Sequence, residues 1–263
     1  MDNQTQHIVL RTENLSIGYQ KKKEQIVVAS GINLKLCRGE LAAVIGINGS
    51  GKTTLIKTLN NNIQNIDGEF FIENKNVKNI TNLSRSKLIS IVLTNRLISK
   101  NLSVYELIAL GRQPYTNWLG TLTKDDFQKI NDTIELVEIS EIKNKKCHEL
   151  SDGQLQKVLI ARALAQDTPL LILDEPTTHL DLYHKAAILK LLKKLCLETN
   201  KTILFASHEI NLALQLCDQI ILLKDGKVIS GTPQGLINGN HLNSLFTDDL
   251  VYFDEKTKSF HIK

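Results

Sequence analysis

The chain has 263 residues, 42% hydrophobic and 23% charged, a balance that excludes disordered, fibrous and low-complexity classes and allows a sizeable core. A formal net charge of +4, from 32 basic and 28 acidic residues, is too small and too evenly spread to demand nucleic acid as a partner. The cysteines Cys37, Cys147, Cys196 and Cys217 lie far apart with no CxxC pair, which argues against a zinc site or a disulfide framework and fits reduced thiols in a cytoplasm.

The opening Met1–His7 has no basic start leading into an apolar stretch, so no secretory signal is predicted. Ile8-Val9-Leu10, Leu15-Ser16-Ile17 and Gly31 to Leu36 read as short strands of an antiparallel layer. Lys21-Lys22-Lys23, the only dense basic run, reads as a solvated loop. Leu41 to Ile45 is a continuous apolar run that ends in a glycine-rich loop, and Thr53 to Leu59 then shows helical spacing. Strand, loop and helix in that order open a parallel-sheet domain.

From about Ser84 to Gln166 the pattern is mostly helical, clearest at Val104 to Leu110 and Phe127 to Val137, and predicts a helical insertion. Buried-strand candidates Leu170 to Leu173 and Thr202 to Ala206 follow, separated by an amphipathic helix from about Leu182 to Leu197. Asp225-Gly226 between two apolar runs predicts a hairpin, and the tail could form another around Glu255 to Lys258. Apolar runs such as Leu170 to Leu173 fall far short of the roughly 20 residues needed to cross a bilayer.

Three stretches carry chemistry. Gly46-Ile47-Asn48-Gly49-Ser50-Gly51-Lys52-Thr53 matches the phosphate-loop pattern, in which glycines let backbone N–H groups wrap phosphates. Lys52 would pair with the β- and γ-phosphates, Thr53 would ligate Mg²⁺, and the helix through Thr54 adds its positive end. Leu170 to Leu173 ends in Asp174-Glu175, where Asp174 could hold the metal and Glu175 could orient or deprotonate water. The same pair also suits a helix start at Pro176. Leu150-Ser151-Asp152-Gly153-Gln154 precedes a long helix and, alone, reads as an ordinary capped start.

Together and in this order, the three stretches resemble the ATP-binding-cassette family over nearly the whole chain. The resemblance implies an α/β phosphate-loop NTPase core with a parallel sheet, an N-terminal antiparallel β layer and a helical subdomain, about 95–165, inserted in a single domain 1–263. It implies ATP and Mg²⁺ as ligands, Glu175 and His208 as catalytic residues, and Thr53 and Asp174 at the metal. Nucleotide would be held by Tyr19 on adenine, by the loop from Gly46 through Asn48, Gly49, Ser50, Gly51, Lys52 and Thr53 to Thr54, and by Ser151, Gly153, Gln154 and Asp181. Tyr19 could also be a simple β-turn tyrosine. Two subunits would face head to tail, each ATP lying between the phosphate loop of one and the Ser151 loop of the other.

Two positions depart from the family. The usual Leu-Ser-Gly-Gly-Gln has Asp152 in its middle, and the glutamine after the next strand aligns with Thr94, whose neighbour Asn95 is the expected substitute. Leu107 to Tyr115 and Asp174 to Asp181 look like importers of iron-siderophore complexes, haem or cobalamin. That likeness implies a homodimer at the cytoplasmic face of the inner (plasma) membrane, docked on integral-membrane permease subunits and served indirectly by a periplasmic or surface binding protein. Tyr115 and Trp118 are residues of the kind interfaces use. A second class is a cassette ATPase acting on nucleic acid or ribosomes, but such proteins usually carry tandem cassettes, coiled coils or zinc modules; a third, a non-hydrolysing nucleotide switch, would be expected to lack Glu175 or His208, and both are present.

Overall fold

In the computed structural model, which describes residues 7–21, 24–93, 101–243, 245–246 and 250–263, the β-rich start forms one long strand, β1 (Ile8–Lys21), where the sequence suggested two short ones. Register shifts around Leu15, Ile17 and Gly18 bend it. Its second half pairs antiparallel with β2 (Glu24–Ile32) and its first with β3 (Lys35–Cys37). The sequence read Gly31 to Leu36 as one strand. It breaks because Gly31 takes a left-handed φ of 64° and the Asn33 side chain bonds locally, donating to the Gly31 carbonyl and accepting from the Asn14 N–H.

β4 (Leu41–Ile45) leads through the glycine-rich loop into α1 (Lys52–Leu59). β5 (Asp67–Ile72) and β6 (Lys75–Asn76) complete the antiparallel sheet, in the order β2-β1-β5-β6 with β3 beside β1. After α2 (Asn82–Ser86) and β7 (Ile89–Val92), the sequence-predicted Thr94 and Asn95 lie outside the described residues.

Helices then dominate: α3 (Val104–Ala109), a 3₁₀ turn at Leu110–Tyr115, α4 (Lys124–Leu136) and α5 (Asp152–Ala165). α3 gives way to the 3₁₀ turn because Pro114 has no N–H for the Leu110 carbonyl, and Gly111 lets that turn pack against α5, where a Cβ would collide with the Arg162 carbonyl. Ser103, Thr123 and Ser151 each begin a helix with a reciprocal capping box.

β8 (Leu170–Asp174), α6 (Leu182–Thr199) and β9 (Thr202–Ala206) resume the strand–helix rhythm. α7 (Ile210–Leu216) precedes the hairpin of β10 (Gln219–Lys224) and β11 (Lys227–Gly231). Its predicted Asp225-Gly226 turn has both residues at positive φ, 48° and 72°, as a type I′ turn requires. α8 (Pro233–Asn238) and the hairpin of β12 (Val251–Asp254) and β13 (Ser259–Ile262) end the described chain. The second sheet runs β11-β10-β4-β9-β8-β7, parallel except for β11.

Every residue of β4, β8 and β9 is buried, so this sheet is covered on both faces. Alternate side chains enter different cores, as a period of two requires. Leu41, Ala43, Ile45, Leu171, Leu173, Ile203 and Phe205 meet the helices of the 104–165 and 182–196 regions. Ala42, Val44, Leu170, Ile172, Leu204 and Ala206 meet α1 and the antiparallel sheet. Each fully buried Leu or Ile contributes about 1.5–3 kcal/mol.

One buried ion pair ties the helices together. Arg112 Nε donates to Asp126 Oδ1 at 2.7 Å, with side chains only 4% and 3% exposed, and Arg112 Nη1 donates to the Ala165 carbonyl at the end of α5. Burial pushes the Asp126 carboxyl up, but hydrogen bonds from the Thr123 backbone and hydroxyl and from Arg112 outweigh it and hold the group below its usual range. A depressed carboxyl stabilises the fold above its unfolded pKa and loses that contribution as pH falls through the lower folded value. Asp126→Ala, which leaves a buried guanidinium without its carboxylate, is expected to cost about 3–5 kcal/mol in urea unfolding at neutral pH. The deficit relative to the parent should shrink below about pH 4.

Candidate nucleotide site

The carboxyl ends of β4, β8 and β9 open onto one groove of about 380 Å³. Tyr19, Val28, Asn48, Gly49, Gly51, Lys52, Thr53, Thr54, Glu175 and His208 line it. Of these, only Val28 was not anticipated, because an aliphatic residue on a strand leaves no spacing signature of a groove wall.

The loop before α1 is shaped by close packing. A Cβ on Gly46 would lie 2.5 Å from the Leu223 carbonyl of β10 and 2.6 Å from Ser50 Oγ. Gly51 has φ 108°, and a Cβ there would lie 2.5 Å from Val28 Cγ1, whereas Gly49, at φ 78°, has open space on that side. The Ser50 hydroxyl is buried with no hydrogen-bond partner. An orphaned hydroxyl inside a glycine cradle is suited to an anion or its metal, because a buried polar atom without a partner is costly.

Lys52 folds into this cradle, its Nζ donating to the carbonyls of Gly46 at 2.9 Å and Ile47 at 3.1 Å. Burial pushes the Lys52 ammonium down, while the carboxylates of Glu175 and Asp174 oppose that shift. Asp174 itself is buried at the end of β8. The Tyr19 hydroxyl lies 2.6 Å from Thr54 Oγ1, so β1 is tied to the start of α1.

Glu175 stands at φ 48°, an uncommon conformation for a residue with a side chain, costing about 1–2 kcal/mol. The turn brings Glu175 Oε1 within 2.6 Å of His208 Nε2, while Thr178 donates its hydroxyl to Glu175 Oε2 at 3.2 Å. A carboxylate held by an imidazole and a hydroxyl, beside a phosphate-shaped cradle, can accept a proton from water.

The remaining predicted residues lie elsewhere on the chain. Ser151, Gly153 and Gln154 line a second cavity, of about 740 Å³, with Tyr183 and His184. Ser151 caps α5, accepting from Gln154 N at 3.3 Å while its own N–H donates to Gln154 Oε1 at 3.1 Å. Asp181 caps α6 through the His184 N–H at 2.8 Å. Hydrogen bonds from the His184 backbone and then its ring hold the Asp181 carboxyl below the usual range. His184 was missed, although Asp-x-x-His at a helix start is a readable capping pattern. Of the two interface candidates, Trp118 is 91% exposed, whereas Tyr115 is half-buried under Arg112, 4.1 Å from its ring centre. Among the described residues no helix is long and apolar enough to cross a membrane.

Residues 29–178 match the family model of the ABC transporter. The chain is 38% identical over 256 residues to an uncharacterized ABC transporter ATP-binding protein of Methanocaldococcus jannaschii, covering 97% of this chain and 87% of that protein. It is 35% identical to the iron(3+)-hydroxamate import ATP-binding protein FhuC of Bacillus subtilis, covering 91% and 88%. Among solved structures, it resembles an ABC transporter in an inward-facing conformation, assigned to the metal-chelate type without an established cargo, with TM-score 0.78 and 26% identity over 97% of this chain and 96% of that one. It also resembles a dimeric ATP-binding cassette in a post-hydrolysis state with ADP and Pi, with TM-score 0.72 and 29% identity over 85% and 98%.

The two glycines of the cradle should separate in experiment. Gly51→Ala must force both its backbone and Val28, so nucleotide affinity in a fluorescent-ATP titration should fall by about tenfold or more. Gly49→Ala meets open space and should lose less.

Proposed function

We infer that this chain, which belongs to the ABC transporter family as an ATP-binding and ATP-hydrolysing subunit, powers the import of iron-siderophore, haem or cobalamin complexes. The observation that carries the hydrolytic part is the single groove in which Lys52, Thr53, Glu175 and His208 converge. The cargo class is supported by the relative named for iron(3+)-hydroxamate import and by the likeness to a transporter assigned to the metal-chelate type. A role on nucleic acid or ribosomes is not favoured, since relatives are named for iron(3+)-hydroxamate import and ferric enterobactin transport.

In this reading the residues divide the work. Gly46, Asn48, Gly49, Ser50, Gly51 and Thr54 shape or flank the phosphate cradle, and Tyr19 provides a surface for adenine beside it. Lys52 exchanges the carbonyls of Gly46 and Ile47 for phosphate oxygens, a favourable trade for a buried cation. Thr53 and Asp174 would hold Mg²⁺, and a hydroxyl with a carboxylate is the hard oxygen set that ion takes. When bound, Mg²⁺ neutralises phosphate charge. Glu175 accepts a proton from the attacking water as the water oxygen bonds to the γ-phosphorus and the bond from that phosphorus to the β–γ bridging oxygen breaks, releasing ADP and phosphate. His208 orients Glu175 and reaches the γ-phosphate.

The phosphate-loop groove and the Ser151 loop line separate cavities of one chain, which supports a site completed by a second copy. Ser151, Gly153, Gln154 and Asp181 then meet the partner's nucleotide. ATP closes this homodimer at the cytoplasmic face of the inner (plasma) membrane. The helical subdomain of about 95–165, within a single domain 1–263, passes the movement to the permease subunits. The exposed Trp118 and Leu119 offer the apolar contact. A periplasmic or surface binding protein delivers cargo to the permease and does not touch this chain.

Glu175→Gln keeps the shape of the side chain and removes its basicity. ATP turnover should fall by about a hundredfold or more, and gel filtration with ATP should show a stable dimer. A chain that stays monomeric with ATP contradicts the composite site. Purification of the tagged protein from solubilised membranes should recover a polytopic permease, whose deletion abolishes uptake of radiolabelled iron-hydroxamate. Recovery of ribosomes in its place would overturn the transport role.

A further inference from the structure

Asp181 caps α6 and Gly153 stands in the first turn of α5, yet one imidazole bonds the first and occupies the space a side chain on the second would need. His184, in the first turn of α6, places Nδ1 2.8 Å from each oxygen of Asp181. A carboxylate only accepts, so Nδ1 carries the proton. The other edge of the ring faces Gly153. A Cβ on that glycine would lie 2.9 Å from His184 Cδ2, 3.5 Å from Cγ and 3.6 Å from Nε2. Gly153 is within α5 and has no left-handed backbone, so conformation does not demand glycine here, and the nearest obstacle to a side chain is the ring. The Tyr183 ring stands edge-on to the imidazole, centroids 5.4 Å apart and planes at 89°.

Capping of α6 does not need this ring, because Asp181 accepts from the His184 backbone N–H. The ring therefore adds a link that the helix start alone would lack. The His184 and Asp181 side chains are 49% and 67% exposed, so a methyl group at position 153 would displace the ring at the expense of its bonds to both Asp181 oxygens.

We propose that His184 is a positioning residue that ties the Asp181 loop to the Ser151 loop of the same chain, so that both loops present to the partner's nucleotide as one body. The functional half of this statement rests on the composite-site reading, while the tie itself is a property of the single chain. It assigns glycine at position 153 a reason inside its own subunit, separate from any approach of phosphate.

Two measurements test it. In the nucleotide-free chain, Gly153→Ala should lower the melting temperature by about 4 °C or more. In a His184→Ala background the same change should cost less than about half as much, since no ring remains for the methyl to strike. An equal loss with and without the ring overturns the tie. In the Glu175→Gln background, His184→Ala should weaken ATP-dependent dimerisation by about fivefold or more in analytical ultracentrifugation, and His184→Gln, which can still donate to Asp181, should recover part of it. Dimerisation as tight as the parent's overturns the functional half. A Glu175→Gln parent that never dimerises overturns the composite-site reading alone, and the melting comparison still accepts or rejects the tie.

Discussion

The parallel register of β4, β9 and β8 is the constraint from which the nucleotide groove follows. Ala206 pairs with Val44 on one side and Asp174 on the other, so the three strands end level with one another. Gly46, Glu175 and His208 each stand one or two residues beyond those ends. The Ser207 N–H donates to the Val44 carbonyl at 3.0 Å, which extends the pairing to the threshold of the groove. A slip of one residue would send Leu41, Ala43 and Ile45 to the opposite core and carry the loop out of line with Glu175. Because both faces are apolar, what opposes such a slip is volume: Leu41 and Ile45 would have to fit where Ala42 and Val44 now pack.

Local strain sits on this rigid base. Glu175 is left-handed, and the loop accepts Gly46 only without a side chain beneath Leu223. Both features are tolerated because the fully paired strands on either side do not yield. Lys52 illustrates the electrostatic balance: burial disfavours its charge, the carboxylates of Asp174 and Glu175 favour it, and two backbone carbonyls hold it in the cradle. A phosphate group arriving there would meet a cation already desolvated and aimed.

α5 connects two distant features. Ser151 caps its beginning, whereas its end receives Arg112 at the Ala165 carbonyl, in a buried pair with Asp126. The exposed Trp118 follows the 3₁₀ turn that carries Arg112. Its start is capped from within and its end is tied to Arg112, so the proposed nucleotide contact and the proposed permease contact share one element. His184 extends the connection to α6 and Asp181.

Much of this was legible in the residues because the signals are local. Continuous apolar runs marked β4, β8 and β9, Asp225-Gly226 marked its hairpin, and the spacing from Gly46 to Thr53 marked the cradle. Backbone preference and burial operate over a few neighbouring positions, which is the range a linear pattern can carry. What the tertiary structure alone decided involves residues far apart in the chain. It joined the two short strand readings into β1, and it broke the Gly31 to Leu36 run through the Asn14–Asn33 contact. It turned Tyr115 inward beneath Arg112 and set the His184 ring between Asp181 and Gly153. Each of these depends on which surfaces meet after packing, and shape complementarity between distant segments leaves no period, spacing or composition to read.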